Sequence, residues 1–150
     1  MSLGTDRVRE ARAEDAGALQ RLYELLVPQN PRIRVLPERL ERLRRDASHF
    51  CFVAERDGEV VGTVLLHVCP DVMFEERPYA LLENLVVDPG ARGGGVGRAL
   101  LEHAERVCRE HQCTKIMLLS GVQRTEAHGF FERLGYDGSV SRAFKKYLPR

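Results

Sequence analysis

The chain has no long hydrophobic run and almost no excess of charge of one sign. Its apolar stretches fall well short of the ~18 residues of a membrane-spanning helix, and charged residues follow soon after residues 1–4, so we expect neither a spanning helix nor a signal peptide. The 23 basic and 22 acidic residues give a formal net charge of +1, which excludes the global field that attracts nucleic acids or anionic membranes. The composition therefore predicts a cytoplasmic protein with no nucleic-acid or membrane partner.

The chain also lacks a metal-binding pattern. None of its four cysteines forms a C-x-x-C pair, and without a secretory signal we expect reduced, partly buried thiols. His103, Cys108, His111 and Cys113 lie close together in sequence, but residues 103 and 108 do not share a face of a helix that begins near Gly95. Because no second pair of ligands occurs elsewhere, we expect no metal site.

Internal repeats, low-complexity tracts and Ser/Gly linkers are absent as well. The 150 residues fit one domain of ordinary size, so we predict a single domain over residues 1–150. Asp15 is a candidate helix N-cap and Gly135 a candidate helix C-cap. The apolar patterns and turn signals predict strands at residues 7–11, 50–55, 59–68, 79–87, 115–119 and 142–147. They predict helices after Asp15, after Pro37, over residues 95–111 and over residues 126–134.

The most informative segment joins a buried strand to a helix through a glycine-rich turn. Residues 85–87 are branched and apolar, Asp88 and Pro89 end the strand, and the glycines that follow let backbone N–H groups surround a charged ligand. The positive end of the helix and the charge of Arg92 favour a pyrophosphate. The candidate binding residues of this loop are Arg92, Gly93, Gly94, Gly95, Val96, Gly97 and Arg98.

Two common nucleotide-binding patterns do not fit this loop. A P-loop needs Lys and Ser or Thr after its glycines, but Arg98 and Ala99 follow Gly97, so the metal-binding hydroxyl is missing. The glycines also do not have the spacing of a dinucleotide fingerprint. A turn that only connects the strand to the helix remains the alternative.

The loop resembles the coenzyme A loop of the GNAT acetyltransferases, Arg/Gln-x-x-Gly-x-Gly/Ala, which Arg92, Gly95 and Gly97 match. Residues 127–136, AHGFFERLGY, are similar to the C-terminal helix motif of that family, Ala-x-x-Phe-Tyr-x-x-x-Gly-Phe/Tyr. The order of elements is also similar, so the resemblance covers most of the chain. It implies an α/β (α+β) GNAT fold: a mixed, mostly antiparallel sheet of about six to seven strands, about four flanking helices, and a splay between the fourth and fifth strands.

The resemblance implies an N-acetyltransferase with acetyl-CoA as cosubstrate and no metal. The acetyl group would pass directly to a primary amine of a small molecule or a peptide, without a covalent enzyme intermediate. The splay would leave backbone groups of Leu85, Val86 and Val87 available to the pantetheine arm and the thioester oxygen.

Glu83 is the candidate general base. It is a carboxylate in an otherwise apolar strand, where burial without a partner is costly. In similar family members an acid at this point takes the amine proton, usually through water, and the resemblance assigns that role to Glu83. A Glu that faces outward and only makes the strand soluble is the alternative.

The second motif departs from the family at Phe131, where a Tyr that protonates the leaving thiolate is usual. Phe131 has no proton to donate, so it remains only a candidate contact to the cofactor. His128 is the candidate replacement acid, Ser120 and Tyr136 are others, and the thiolate can also leave unassisted because a thiol pKa lies near 8.5. Arg124 is a candidate contact to a coenzyme phosphate or a solvated loop residue.

The acceptor cannot be read from the sequence. Arg32 and Arg34 favour an anionic acceptor, whereas Asp71, Glu75 and Glu76 favour a cationic one. Because of Phe131, an acyl-CoA-binding sensor or interaction module without turnover stays open as a different class of function. A homodimer also stays open.

Overall fold

A five-stranded sheet organises the part of the chain that the computed structural model describes, residues 6–149. Residues 1–4, on which the expectation of no signal peptide rests, lie outside that part. The chain divides into two units, Met1–Met117 and Leu118–Arg150, and each is described by itself. The single domain therefore stays a prediction.

The strands follow one another across the sheet in chain order. They are β1 (Arg7–Glu10), β2 (His49–Arg56), β3 (Glu59–Cys69), β4 (Tyr79–Val87) and β5 (Ile116–Leu118). Neighbouring strands from β1 to β4 are antiparallel. Beside the start of β4, the Ala80 N–H donates to the Lys115 carbonyl (2.9 Å) and the Thr114 N–H donates to the Pro78 carbonyl (2.8 Å). These two bonds advance in the same direction, so β5 is parallel to β4 and the mixed, mostly antiparallel sheet is confirmed.

The expected strand count was wrong, since residues 6–149 contain five strands rather than six to seven. The missing element is the closing strand at residues 142–147, which has neither helix nor strand structure. A strand requires a bonded neighbour, and the described part of the second unit contains no strand beyond Leu118. The apolar side chains Phe144 and Tyr147 are accordingly 86% and 82% exposed.

Four helices in the described chain begin where the sequence patterns place them, to within two residues. They are α1 (Ala16–Leu26), α2 (Pro37–Arg44), α3 (Val96–Glu110) and α4 (Thr125–Arg133). Pro37 occupies the first turn of α2, where its missing N–H costs no hydrogen bond.

Asp15 occupies the N-cap position of α1, but its side chain does not cap that helix. The carboxylate instead accepts bonds from both terminal nitrogens of Arg9 (2.7 and 3.0 Å) and from the Arg12 N–H (2.7 Å). Burial opposes ionisation of Asp15, but these hydrogen bonds outweigh it and its pKa is lowered. Because Arg9 also pairs with Glu55 of β2, the cluster ties the start of α1 to the sheet.

The two faces of the sheet are covered by different helices. Apolar residues of α1 and α2 form one core with side chains of β2, β3 and β4, and this core contains Ala11, Leu19, Leu22, Leu40, Cys51, Val53, Val60 and Val86. On the other face, α3 lies over Gly62 of β3, and Phe52 of β2 meets the ring of His103 edge-on. We call these the α1–α2 face and the α3 face.

The close approach of α3 at Gly62 gives a testable prediction. A Cβ at position 62 would lie 2.9 Å from Val96 Cγ1 and 3.2 Å from Leu100 Cδ1, so Gly62→Ala should destabilise the fold by about 1–3 kcal/mol. The control is Gly17→Ala in α1, where a Cβ meets nothing within 4 Å and should stabilise the helix by up to about 1 kcal/mol. Urea unfolding measures both, and equal stability of the two variants would contradict the packing argument.

Candidate functional site

Two glycines of the loop before α3 have backbone conformations that other residues rarely adopt. Gly93 and Gly95 have φ of 81° and 83°, a left-handed conformation that costs other residues about 1–2 kcal/mol. The loop starts with a 3₁₀ turn at Pro89–Ala91, in which Asp88 Oδ1 accepts the Gly90 N–H at 3.0 Å. The turn therefore requires glycine at these two positions because of its backbone conformation.

The N-terminus of α3 is open. Its N-cap residue is Gly95, which offers no side-chain acceptor, and the first turn contains no acidic residue. The first N–H groups of a helix have no partner within the helix, so the N–H groups of Val96, Gly97 and Arg98 are left for a ligand. Residues 92–95 are exposed. The positive end of the helix dipole thus faces solvent through a loop that an anion can enter.

Two arginines contact the loop, and sequence analysis selected only one of them. Arg92 Nε donates to the Val87 carbonyl at 3.3 Å, which holds this cation beside the end of β4. Arg56, at the end of β2, donates to the Gly94 carbonyl at 3.1 Å and pairs with Asp6 at 2.9 Å. Arg56 lies far from the glycines in sequence, so only the sheet brings it to the loop. Arg98 Nε, by contrast, pairs with Glu102 one helical turn on (2.8 Å).

A β-bulge in β4 places Glu83 and Asn84 in solvent. The register with β3 shifts by one residue between Leu65↔Glu83 and Thr63↔Val86, and Asn84 has a φ of 56°. Both side chains are exposed, so Glu83 faces outward, and its role as general base stays a prediction. An Asn inside an apolar strand was the available signal, because Asn tolerates positive φ better than most residues.

The backbone of residues 85–87 continues β4 past the point where β5 ends, while side chains of this segment pack in the core. Val86 packs in the core of the α1–α2 face. The two hydrogen bonds to the segment before β5 lie at the start of β4, and β5 has three residues against nine in β4. The regular pairing of β5 therefore ends before Leu85, as a splay between the two strands requires.

The second unit contains the other candidate residues. Helix α4 ends in a Schellman motif, in which the Gly135 N–H donates to the Glu132 carbonyl (3.0 Å) and the Tyr136 N–H to the Phe131 carbonyl (3.1 Å). Gly135 has a φ of 95°, so its predicted role as C-cap is confirmed. The buried ring of Phe131 meets Tyr136 edge-on, with 6.2 Å between ring centroids.

His128 and Arg124 lie at the start of α4. His128 Nε2 lies 2.9 Å from the Gly121 carbonyl oxygen, so Nε2 carries the hydrogen and only Nδ1 can exchange a proton with another group. Arg124 is exposed at the N-cap position. Ser120 Oγ is buried and has no partner within residues 6–149. The roles of these residues stay predictions.

Sequence analysis did not select the pair of histidines next to Glu83 on the sheet. His49 of β2 and His67 of β3 are directly opposite, and their Nδ1 atoms are 2.8 Å apart. Burial, and then the neighbouring His49, lower the pKa of His67, against a smaller opposing effect of Glu83. The two residues are 18 positions apart, so only the strand register could have found the pair.

Neither a spanning helix nor a metal cluster occurs in the described chain. Across residues 6–149, no helix has the length and apolar character needed to cross a membrane. Over the same residues, no group of three or more His, Cys, Asp or Glu side chains could hold a metal ion.

The bulge gives the second prediction. Asn84→Val places a β-branched side chain at positive φ and should destabilise the protein by about 1–2 kcal/mol, whereas Asn84→Gly should be neutral or slightly stabilising. Urea unfolding compares the two with wild type. An equal loss of stability in both variants would mean that contacts of the Asn side chain, and not its backbone conformation, stabilise the bulge.

Comparison with known proteins agrees with this geometry. A sequence model described as Acetyltransferase (GNAT) family matches residues 19–136. The chain is 31% identical over 143 residues to an uncharacterized N-acetyltransferase of Chlorobaculum tepidum, covering 95% of this chain and 80% of that protein. It is 31% identical over 136 residues to an aminoglycoside N(6')-acetyltransferase type 1 of Stenotrophomonas maltophilia, covering 87% of this chain and 85% of that protein.

Among solved structures, a provisionally assigned acetyltransferase from Agrobacterium tumefaciens str. C58 superposes with a TM-score of 0.85 at 29% identity. The match covers 95% of this chain and 99% of that one. The fold and the sequence thus lead to the same assignment, and the chain belongs to the GNAT family of acetyltransferases.

Proposed function

We propose that this enzyme moves an acetyl group from acetyl-CoA to a primary amine of a small molecule. The observation that carries the proposal is the open N-terminus of α3, with exposed glycines, no acid in its first turn and Arg92 beside it. Such a site suits the pyrophosphate of coenzyme A, because backbone N–H groups and the helix dipole both stabilise negative charge.

The proposed contacts to the coenzyme come from the loop, from β4 and from the start of α4. N–H groups of residues 93–98 would hold the pyrophosphate, with Arg92 as the adjacent cation. The backbone of Leu85, Val86 and Val87 would bind the pantetheine arm and polarise the thioester carbonyl. Arg124 and Phe131 are proposed as further contacts on the basis of the family motif. Arg98 contributes its backbone, since its side chain pairs with Glu102.

The chemistry requires a neutral amine. Glu83 is exposed three residues before Val86 on β4, so it can take the ammonium proton through water before the nitrogen attacks the thioester carbon. The tetrahedral intermediate then collapses, the C–S bond breaks, the coenzyme leaves as a thiolate, and the surplus proton on the nitrogen passes to water or to that thiolate. Phe131 cannot protonate that thiolate, and His128 could do so only from Nδ1 as an imidazolium.

The acceptor is proposed only as a class. The similarity to an aminoglycoside N(6')-acetyltransferase favours an amine on a small polar molecule. Residues 71–76 contain three carboxylates. Asp71 Oδ1 already accepts the Met73 N–H at 2.9 Å, so Glu75 and Glu76 are the two proposed to bind such a cation. A peptide amine is the other acceptor to test. Cytoplasmic location and a homodimer stay predictions.

Coenzyme binding is tested by thermal stability. Acetyl-CoA should raise the melting temperature, because a ligand that binds only the folded state stabilises it by mass action, while ATP and NAD should do much less. Arg92→Gln removes a charged hydrogen-bond donor and should weaken acetyl-CoA binding by about tenfold or more. The control is Arg39→Gln on α2, an exposed arginine away from the loop, which should bind as wild type does. Equal shifts with all three nucleotides, or none, would contradict the loop assignment.

Catalysis is tested at Glu83. Glu83→Gln keeps the side-chain shape but removes the base, so kcat near neutral pH should fall by about 10²–10⁴ and recover in part at high pH, where free amine accumulates. Acetyl-CoA binding should not change. The control is Glu59→Gln at the exposed start of β3. Thiol release with a panel of amines is the measurement.

Two outcomes of that assay would overturn parts of the proposal. If Glu83→Gln is as active as wild type at every pH, Glu83 is not the base. If wild type binds acetyl-CoA but transfers acetyl to no amine, the protein is a binding module without turnover.

A further inference from the structure

The starting point is the contact between His49 and His67. Their Nδ1 atoms are 2.8 Å apart and their ring planes meet at 62°, with 5.0 Å between centroids. Both side chains are half-buried, so solvent still reaches them. Two neutral imidazoles can approach so closely only if one Nδ1 donates a hydrogen and the other accepts it.

The pair shares a face of the sheet with Glu83. His67 lies opposite Leu81, and Glu83 lies opposite Leu65, so His67 and Glu83 are diagonal neighbours, a relation that places Cα atoms about 7–8 Å apart. The electrostatic effect of Glu83 on His67 agrees with this placement. Because the bulge at Asn84 begins after Glu83, it does not alter this relation.

The shared hydrogen bond makes the two ends of the pair chemically different. The ring that donates from Nδ1 has a free Nε2 lone pair and can take a proton there. The ring that accepts at Nδ1 carries its own hydrogen on Nε2 and can release it. A neutral pair therefore has one basic end and one acidic end, joined by a hydrogen bond along which a proton can move.

We propose that His67 and His49 relay the proton of the acceptor amine from Glu83 to solvent while the bound substrates cover Glu83. This inference rests on the proposed function. A proton delivered by Glu83 through water binds His67 Nε2, the His67 Nδ1 hydrogen moves to His49 Nδ1, and His49 releases its Nε2 hydrogen to water. One proton enters and one leaves, and no other bond changes. The pair is left with the opposite tautomers. It returns to the starting ones when His67 gives its Nε2 hydrogen to water and gains one at Nδ1, while His49 gains one at Nε2 and gives up the one at Nδ1.

The environment of His67 suits it to accept a proton. Its lowered pKa keeps the ring neutral near pH 7, and activity should fall as the pH drops through that pKa because the basic end then becomes protonated. Other titratable side chains must be considered when this limb is assigned. Those on the same face of the sheet, besides His49 and Glu83, are Cys51, Glu55, Cys69 and Tyr79, with Arg7 and Arg9 of β1. Tyr23 of α1 interacts with Cys51.

The experiment compares two relay variants, one control variant and one double variant of the whole protein with the best amine of the panel. His49→Asn places an amide where Nδ1 stood, so it can keep the bond to His67 but cannot pass a proton on, and His67→Gln removes the basic end. The control is His111→Asn at the end of α3, whose ring bonds to the Val107 carbonyl. For each variant we would measure kcat and KM from pH 5.5 to 9, and the melting temperature.

We expect both relay variants to lower kcat by about 10- to 100-fold, at the lower end of general acid–base effects, with KM for both substrates unchanged. His67→Gln should also lose the part of the low-pH limb of kcat/KM that comes from His67, while the part that comes from the acceptor amine stays. A merely structural role would move neither part. In the Glu83→Gln, His67→Gln double variant, the losses should fall short of multiplicative, because both groups act on the same proton.

Imidazole nitrogen NMR of the wild-type protein gives a readout that needs no variant to fold. One of the two rings should carry its hydrogen on Nδ1 and the other on Nε2. Hydrogens on Nε2 of both rings would overturn the relay, as would wild-type kcat and an unchanged low-pH limb in His67→Gln. If wild-type protein acetylates no amine, the proposed function has failed and the relay fails with it. An active wild type with active relay variants would overturn the relay alone.

Discussion

Glycine at position 62 lets α3 approach β3 more closely than any larger residue would allow. A Cβ there would meet Val96 and Leu100 on α3 and the Val86 carbonyl of β4, so one position fixes the distance between the helix and two strands. Val96 is also the first residue of α3. The packing that anchors the helix therefore anchors its N-terminus, and with it the loop assigned to the pyrophosphate, beside the end of β4.

The bulge in β4 changes which residues face which helix. Before it, Glu83 lies opposite Leu65, and after it Val86 lies opposite Thr63, so both belong to the α1–α2 face although they are three positions apart. Without the extra residue, strict alternation would place Val86 on the α3 face. One residue with positive φ thus allows an exposed carboxylate and a core side chain, three positions apart in one strand, to lie on the same face of the sheet.

Local patterns in the sequence were enough to predict much of the fold. The strand of residues 79–87 is confirmed at both ends, and Pro37 and Gly135 mark helix ends through the chemistry of their own backbones. Features that depend on distant residues were not predictable in this way. Arg56 reaches Gly94 and His49 meets His67 only because of strand register, and Asp15 bonds to Arg9 instead of capping α1. The prediction of a closing strand at residues 142–147 was wrong, because an apolar pattern does not show whether a hydrogen-bonded neighbour is present.

The three consecutive glycines of the loop are constrained for different reasons, and this matters for protein engineering. Gly93 and Gly95 have space around a Cβ but a backbone that disfavours one, whereas a Cβ on Gly94 would lie 2.8 Å from the guanidinium of Arg56. Shortening residue 56 would therefore open position 94 to substitution, but no change in the surroundings would do so at 93 or 95. A library of variants of this loop therefore has one adjustable position among the three glycines. Its partner, Arg56, lies at the end of β2, far from the loop in sequence.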